Sequence, residues 1–457
     1  MRRNRWFWVI FALGIGLRLY GITNPLLDNH AWRQVDTASM AANFLQYGFW
    51  PLLPQLNYDG PPPNFAELEF PLPALLTTGL WSLFGQHDII ARGVAVVFSA
   101  ATLWLIYLTG KLLFDRNSGL LAMAFFAVNP LAIYYGRTVM PESSMIFFMT
   151  AAIYLTLLWH QSGQRWALWL GAAALALAGL AKLPGLMIVA PIGVILLKRY
   201  GWKAFVRWQV WLFLLIGLGL PFVYYALAHL YTSTRFLSGI VNGQMTTQYF
   251  AWDYLRERLG AMVTGYLLIT GLAALCLRRT RAGNLFIFTW LGVLLLYTIV
   301  FGARIQLEYY LLPLIPPLSI LAGGAIGKFW GDPPGVLAGM LILAMTLSGA
   351  VAKLAPYYAV DNAVLVQAAK IKQATSPGSL LVLSDVQPMV FYYSDRKGWR
   401  LAGAAQSPEN LEKLRRQGAA LFVILPGSQL NPQLKGYLDE HYPFNQNGGF
   451  YDLRKVR

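Results

Sequence analysis

Long apolar stretches alternate with short polar tethers along most of this 457-residue chain. A helix needs about 20 consecutive apolar residues to cross the hydrocarbon core of a bilayer. Eleven stretches come close to that length, and each is predicted to be a membrane-spanning helix: 6–22, 91–113, 118–135, 143–160, 166–182, 184–198, 208–229, 259–277, 283–302, 308–326 and 333–352. The pattern therefore predicts an all-α polytopic membrane protein.

Shorter apolar patterns occur in the long segment 23–90, between the first two predicted spans. Residues 30–47 and Phe70 to Gly85 each suit a helix that lies in the outer membrane interface rather than crossing it. If the first of these helices extended back to residue 28, Asp28 and Asp36 would share one of its faces. We therefore expect interfacial helices in addition to the eleven spans.

The last hundred residues have a different character, because the chain turns polar from about Pro356. Helices are predicted near 360–374 and 408–417, and strands over 380–384 and 421–425. This alternation of helices and short strands is typical of a small α/β domain outside the membrane.

The predicted organisation thus has two domains. Residues 1–355 form the transmembrane domain, with external loops at 23–90 and 230–258, and residues 356–457 form the α/β domain.

Composition and charge agree with this interpretation and orient the chain. Hydrophobic residues make up 57% of the sequence and charged residues 12%, whereas soluble domains are about 25% charged. The net charge of +16 arises from Lys and Arg in the short tethers, and the positive-inside rule places such tethers in the cytoplasm. The N-terminus is then cytoplasmic and the C-terminal domain external, and no nucleic-acid partner is expected.

With this orientation, the unusual polar residues of the chain fall on the external side. They come from the first loop and from three turns between spans: Asp28, His30, Arg33, Asp36, Glu69, Arg137, Glu142, Lys182, Arg304, Glu308, Tyr309 and Tyr310. Clustered cations suit the phosphate of an anionic lipid, and a carboxylate beside them suits a general base. Ionisable residues at a membrane are by default a functional-site hypothesis.

Each of these residues also has a structural explanation when it is taken alone. Asp28 is suited to capping the helix that follows it, and Glu142 to the first turn of a helix. Arg137, Lys182 and Arg304 suit contacts with lipid headgroups. What favours a catalytic site is the convergence of four distant segments on one side of the membrane.

The order of several motifs resembles that of the bacterial GT-C glycosyltransferases of glycosyltransferase family 39, which includes protein mannosyltransferases, and that of the lipid A aminoarabinose transferase. The motifs run from Pro25 to Asp28, Glu69-Phe70-Pro71, Ala91-Arg92, Arg137 with Glu142, and Tyr309-Tyr310-Leu311-Leu312-Pro313. The similarity covers roughly residues 5–330.

The resemblance implies a GT-C fold and assigns Asp28 as the catalytic base. It makes Glu69 a candidate ligand of a divalent metal such as Mg²⁺, Mn²⁺ or Zn²⁺, or a residue that positions the donor phosphate. Arg137 and Glu142 would line the cavity, whereas Lys182 and Arg304 are assigned to the phosphate by topology. Three positions depart from the family pattern: Asn29, where the second acid of a first-loop pair is usual, Phe70, where a Lys is usual, and Glu142, where Asp is commoner.

These observations predict a glycosyltransferase of the cell envelope in the bacterial inner membrane. It would transfer a hexose or pentose from a polyprenyl-phosphate donor to an acceptor hydroxyl on a lipid, glycan or protein at the periplasmic face. One alternative is a transporter or a flippase for lipid-linked sugars, which would explain many spans and buried charges. Another is a non-catalytic scaffold with a periplasmic sensor domain, which would explain residues 356–457 but leave the first-loop cluster unused. A transporter, however, predicts internal repeats and charges at the bilayer midplane, whereas the charges here lie at the ends of spans.

Overall fold

A computed structural model describes residues 5–232, 238, 239, 243, 250–277 and 279–457 of the chain. The part up to residue 354 is built almost entirely from helices. Its α-helices are α1 Arg5–Leu19, α2 Ala31–Tyr47, α3 Leu72–Phe84, α4 Asp88–Leu113, α5 Arg116–Val128, α6 Pro130–Tyr134, α7 Glu142–Ser162, α8 Arg165–Ala181, α9 Val189–Tyr200, α10 Trp208–Leu214, α11 Leu220–Tyr231, α12 Trp252–Ala261, α13 Gly265–Leu277, α14 Asn284–Tyr297, α15 Ala303–Ile305, α16 Ile315–Lys328 and α17 Pro333–Leu354. Short 3₁₀ and π segments, among them Leu183–Ile188, Leu215–Gly219 and Glu308–Leu314, connect several of these helices.

Within the described residues, seven helices are long and apolar enough to cross a membrane, and a pair bent by 87° (Trp252–Ala261 with Gly265–Leu275) would make an eighth. Helices also occupy the other three predicted spans, but α1, α5 and α8 have only 15, 13 and 17 residues. A multi-pass membrane protein is thus confirmed, while the number of eleven spans stays a prediction.

Close contacts between helices hold this bundle together. Gly323 of α16 lies so near α5 that a Cβ atom there would come within 2.4 Å of the Ser118 carbonyl oxygen. Gly119 of α5 makes a similar approach to α4, at 2.6 Å from the Tyr107 carbonyl oxygen. Small residues that let backbones meet are the usual means of packing helices in lipid.

The two helices predicted in the first loop are present as α2 and α3, and their position in the membrane interface stays a prediction. The start of α2 corrects one expectation, because the helix begins at Ala31. His30 precedes it in the left-handed conformation, with φ 57° and ψ 35°, and this turn directs Asp28 away from the helix axis. Asp28 and Asp36 therefore do not share a helix face.

The C-terminal part contains a five-stranded sheet with strand order β2-β1-β3-β5-β4. Its strands are β1 Leu380–Leu383, β2 Lys397–Arg400, β3 Ala419–Val423, β4 Phe444–Asn445 and β5 Phe450–Asp452, and its helices are α18 Ala363–Ala374, α19 Met389–Ser394, α20 Pro408–Arg416 and α21 Pro432–His441. Strand β1 pairs in parallel with β2 and β3, and β5 runs antiparallel to β3. The two predicted strands and two predicted helices are confirmed.

One face of this sheet packs on the first loop. Leu381 and Leu421 belong to the same buried cluster as Val35 and Phe44 of α2 and Leu56 of the loop. A bridge between Gly60 and Gly398 ties the loop to the edge strand β2. The C-terminal sheet therefore covers the segment that carries Asp28, His30, Arg33, Asp36 and Glu69.

Candidate active site

Asp28 lies at the centre of a closed network of charged side chains. Its carboxylate receives a hydrogen bond from Gln34 Nε2 at 2.6 Å and ion pairs from Arg92, at 3.1 Å, and from Arg137. Gln34 Oε1 accepts in turn from Arg92 Nη1 at 3.1 Å. The side chains of Asp28, Arg92 and Arg137 have no exposed surface.

This network meets the requirement that buried charges be paired and hydrogen-bonded. It uses Arg137, which the sequence predicts to line the cavity, as a partner of Asp28. It also includes Arg92, the arginine of the Ala91-Arg92 motif, to which the sequence assigned no role. In this conformation the carboxylate of Asp28 is closed off from solvent by its partners.

A small cavity lies on the other side of the turn at His30. Arg33 and Asp36 of α2 and Glu69 of the loop supply its polar wall. Arg33 Nη2 lies 3.3 Å from Glu69 Oε1, and the hydroxyl of Tyr58 donates to Asp36 Oδ2 at 3.1 Å. The remaining wall is formed mostly by apolar residues and prolines: Thr37, Met40, Leu68, Phe70, Pro71, Pro73 and Pro141.

Burial and neighbouring charges affect the two cavity carboxylates differently. Burial raises the pKa of Asp36 to about 7, and the opposing effect of Arg33 offsets only part of that rise. Burial also acts to raise the pKa of Glu69, but Arg33 and Lys182 outweigh it and hold that pKa below its usual value. Two carboxylates in one site whose pKa values are moved apart suit different roles in acid–base chemistry.

Lys182 contacts residues from two other turns, next to this cavity. It forms an ion pair with Glu142, and its ammonium lies 4.5 Å from the ring centre of Tyr309 and 5.2 Å from that of Tyr310. Lys182 is only 7% exposed. Lys182 thus contacts three residues that the sequence predicts on two other turns.

His30 joins the same region from the first loop. Its Nε2 lies 3.3 Å from Glu308 Oε1, and its ring centre lies 5.2 Å from that of Tyr309. Asn29 Nδ2 donates to the same Glu308 oxygen at 3.2 Å. The first loop, the turn after α8 and the segment Glu308–Leu314 therefore meet around Tyr309.

Arg304 lies in the three-residue helix α15 and is partly buried. Its predicted contact with a phosphate stays a prediction.

The residues around Glu69 do not fit a divalent metal. Glu69 is paired with Arg33 and influenced by Lys182, and cations next to a carboxylate repel a metal ion. In the part of the chain that the structure describes, no group of three or more His, Cys, Asp or Glu side chains is arranged to hold a metal.

Two residues near the cavity were missed by sequence reasoning. Tyr58, which binds Asp36, lies in an irregular part of the first loop, and Arg400 comes from strand β2 and lies over the Tyr58 ring. Tyr58 and Arg400 follow Asp36 by 22 and 364 residues. No spacing rule relates positions so far apart, so only the fold shows that they are neighbours.

Residues 68–229 match the protein family described as dolichyl-phosphate-mannose-protein mannosyltransferase. The structure is similar to that of ArnT from Cupriavidus metallidurans bound to undecaprenyl phosphate, with a TM-score of 0.74 and 15% sequence identity over 98% of each chain. The chain has the GT-C fold. The predicted resemblance is thus confirmed for the GT-C fold, and the family match itself covers residues 68–229.

A second GT-C structure shares the architecture at lower similarity. The Archaeoglobus fulgidus oligosaccharyltransferase with a tethered acceptor peptide gives a TM-score of 0.65 at 11% identity, covering 92% of this chain and 69% of that one. No curated protein matches the chain in sequence.

Proposed function

We propose that this protein is an integral-membrane glycosyltransferase that uses a polyprenyl-phosphate sugar as donor. The observation that carries the proposal is the cavity at the turn after His30, where Arg33, Asp36 and Glu69 adjoin Lys182. The GT-C fold supports it, since the similar ArnT structure is bound to undecaprenyl phosphate. The acceptor would be a hydroxyl on a lipid, glycan or protein at the periplasmic face.

The cations of the site suit the phosphate of the donor. Arg33 forms an ion pair with Glu69, and Lys182 forms one with Glu142. A phosphate entering between them would gain charge-assisted hydrogen bonds. As the sugar leaves, negative charge builds on the phosphate oxygen, and fixed cations stabilise that charge. Arg304 is a further proposed contact.

The reaction needs one proton transfer. The acceptor hydroxyl loses its proton to a carboxylate and attacks the anomeric carbon, and the bond from that carbon to the phosphate oxygen breaks with its electron pair on the phosphate. Inversion at the anomeric carbon is expected by resemblance. No step is assigned to a metal, because the residues around Glu69 do not fit one.

Two carboxylates are candidates for the base. The resemblance assigns Asp28, but that role requires a conformation in which Arg92 or Arg137 moves away from it. Asp36 lines the cavity without such a movement, and its raised pKa suits a group that accepts a proton near neutral pH. We therefore propose Asp36 as the base in the described conformation, with Asp28 as the alternative.

The proposed topology follows the basic tethers: an N-terminus in the cytoplasm, eleven spans in the inner membrane, and residues 356–457 in the periplasm. The contact between the C-terminal sheet and the first loop supports it, because both then lie on one side of the membrane. Single-cysteine labelling at exposed Lys413 and Trp202, with a membrane-impermeant thiol reagent, should modify the first in intact spheroplasts and the second only after lysis.

The decisive experiment is a transfer assay with the purified full chain, radiolabelled undecaprenyl-phosphate sugars and membrane extract as acceptor. Transfer of label by the wild type, but not by Asp36→Asn or by Asp28→Asn, would establish the activity. EDTA should leave the rate within about twofold, since no metal step is proposed. Movement of donor across proteoliposomes without any transfer would instead support the flippase.

A further inference from the structure

A second cavity lies at the far end of α2, away from the charged site. It is a groove of about 510 Å³, and Tyr47, Trp50 and Phe65 supply its aromatic wall, together with Leu53, Gln55 and two prolines. Its volume falls within the range of about 300 to 1,000 Å³ that ligand sites occupy. The proposed chemistry makes no use of this groove.

The groove contains a buried polar group without a protein partner. Gln55 is 7% exposed, and its side-chain oxygen finds no hydrogen-bond partner among the described residues. A buried amide without a partner costs free energy, so a ligand that bonds to it would be favoured. Rotation of the side-chain amide offers either a donor or an acceptor to that ligand.

The groove lies next to the C-terminal sheet. Lys397 of strand β2 holds its ammonium 4.1 Å from the ring centre of Tyr47. Next to it, Gly398 N donates to the Asn57 carbonyl oxygen at 3.1 Å. The lining residues all belong to the first loop, and the sheet contacts one of them, Tyr47, through Lys397.

A row of mostly buried polar side chains on α2 runs from the groove to the cavity of Asp36. Asn43 Nδ2 donates to the Gln55 carbonyl oxygen at 2.9 Å and to Asn57 Oδ1 at 3.0 Å, and Asn57 Nδ2 donates to Ser39 Oγ at 3.3 Å. Asp36, Ser39, Asn43 and Tyr47 follow one another at spacings of three and four residues, so they lie on one side of the helix.

We propose that this groove binds the saccharide part of the acceptor, an inference that rests on the proposed glycosyltransferase function. Flat aromatic rings suit the C–H faces of sugar rings, and the unpaired amide of Gln55 suits their hydroxyls. Tyr47 lies 11 residues beyond Asp36, which is about 16 Å at the rise of an α-helix. A single sugar does not cover that length, so the acceptor is an oligosaccharide.

Binding of saccharide to the full chain in nanodiscs, without donor, tests the groove independently of transfer. The probes are maltotetraose, a mannotetraose, N-acetylchitotetraose and tetragalacturonate, followed by saturation-transfer NMR. We expect at least one of them to bind, and Trp50→Ala to weaken its binding at least about 10-fold, the change that about 1.4 kcal/mol of lost contact produces. Gln55→Leu should weaken it as well.

Phe49→Ala is the matched control, because Phe49 is the neighbouring aromatic residue, is 55% exposed and does not line the groove. If none of the four probes binds, or if Trp50→Ala binds as well as Phe49→Ala, the groove is not a saccharide site. Loss of binding in Trp50→Ala together with absence of transfer by the wild type would leave the saccharide site standing and would overturn the glycosyltransferase. If the wild type transfers label and Trp50→Ala weakens saccharide binding, this variant should raise the KM for acceptor about 10-fold and leave the KM for donor unchanged.

Discussion

The guanidinium of Arg400 lies 3.8 Å from the ring centre of Tyr58, whose hydroxyl donates to the carboxylate of Asp36. Arg400 is held there by Asp59, which accepts from Arg400 Nε at 2.9 Å, and it also lies 5.3 Å from the ring centre of Trp32. A strand of the C-terminal sheet thus acts on the proposed base through one aromatic residue.

Removing Arg400 should change the pH dependence of transfer. Burial raises the pKa of Asp36 and Arg400 is among the groups that lower it, so Arg400→Leu should raise that pKa further. A base works when ionised, and the acid limb of the kcat/KM profile should therefore move to higher pH, whereas Arg400→Lys should restore part of the shift. Arg416→Leu, at an exposed position of the same domain, is the control, and an unmoved limb in Arg400→Leu would contradict the coupling.

Asp36→Asn should lower kcat at least about 100-fold, the low end of the effect of a general base. The acid limb of the wild-type profile, expected near pH 7 because burial raises the pKa of Asp36 to about 7, should disappear in the residual activity. Rates across pH 5 to 9 provide the measurement. A residual limb at the wild-type position would assign the titration to another group.

Asp28→Asn should act first on stability. It leaves Arg92 and Arg137 buried with a neutral partner, and breaking a buried ion pair costs about 3 to 5 kcal/mol. The midpoint of thermal unfolding should fall, whereas that of Asp253→Asn, with an almost fully exposed side chain, should not change. A variant that unfolds like the wild type and yet loses transfer would restore Asp28 as the base.

Lys182→Met should lower kcat/KM by about 100-fold, the effect of removing one preorganised donor from a developing charge. Lys182 contacts Glu142, Tyr309 and Tyr310, so its loss also leaves a buried carboxylate unpaired. Glu142→Gln in the same chain relieves that defect and separates folding from catalysis. Lys203→Met, at an exposed position, should behave as the wild type, and full activity of Lys182→Met would exclude a phosphate contact.

The sequence predicts the positions of the helices well because each helix that crosses lipid needs a long apolar stretch. It also predicts that Lys182, Glu142 and Tyr309 converge, since topology alone brings span ends to one side. It does not predict which charges pair. Arg92 sits inside an apolar helix 64 residues from Asp28, and nothing in local spacing connects the two.

The sequence does not predict strand β2 for a related reason. Strand β2, Lys397–Arg400, has four residues and no alternation of apolar and polar positions, and its pairing depends on β1 and on the first loop. The pattern of apolar and polar positions therefore could not predict that Arg400 contacts Tyr58 or that Lys397 contacts Tyr47.

The left-handed turn at His30 divides the charged residues of the first loop into two groups that face different parts of the molecule. Asp28 faces the helices and anchors the loop, whereas Arg33 and Asp36, only a few residues later, face the cavity. Because the anchor and the proposed reacting surface use different side chains, substitutions of Arg33 or Asp36 can alter what the protein recognises, whereas Gln34, which bonds to Asp28, belongs to the anchor. Residues that face the cavity can thus be replaced while Asp28 and its partners keep the loop attached to the helices.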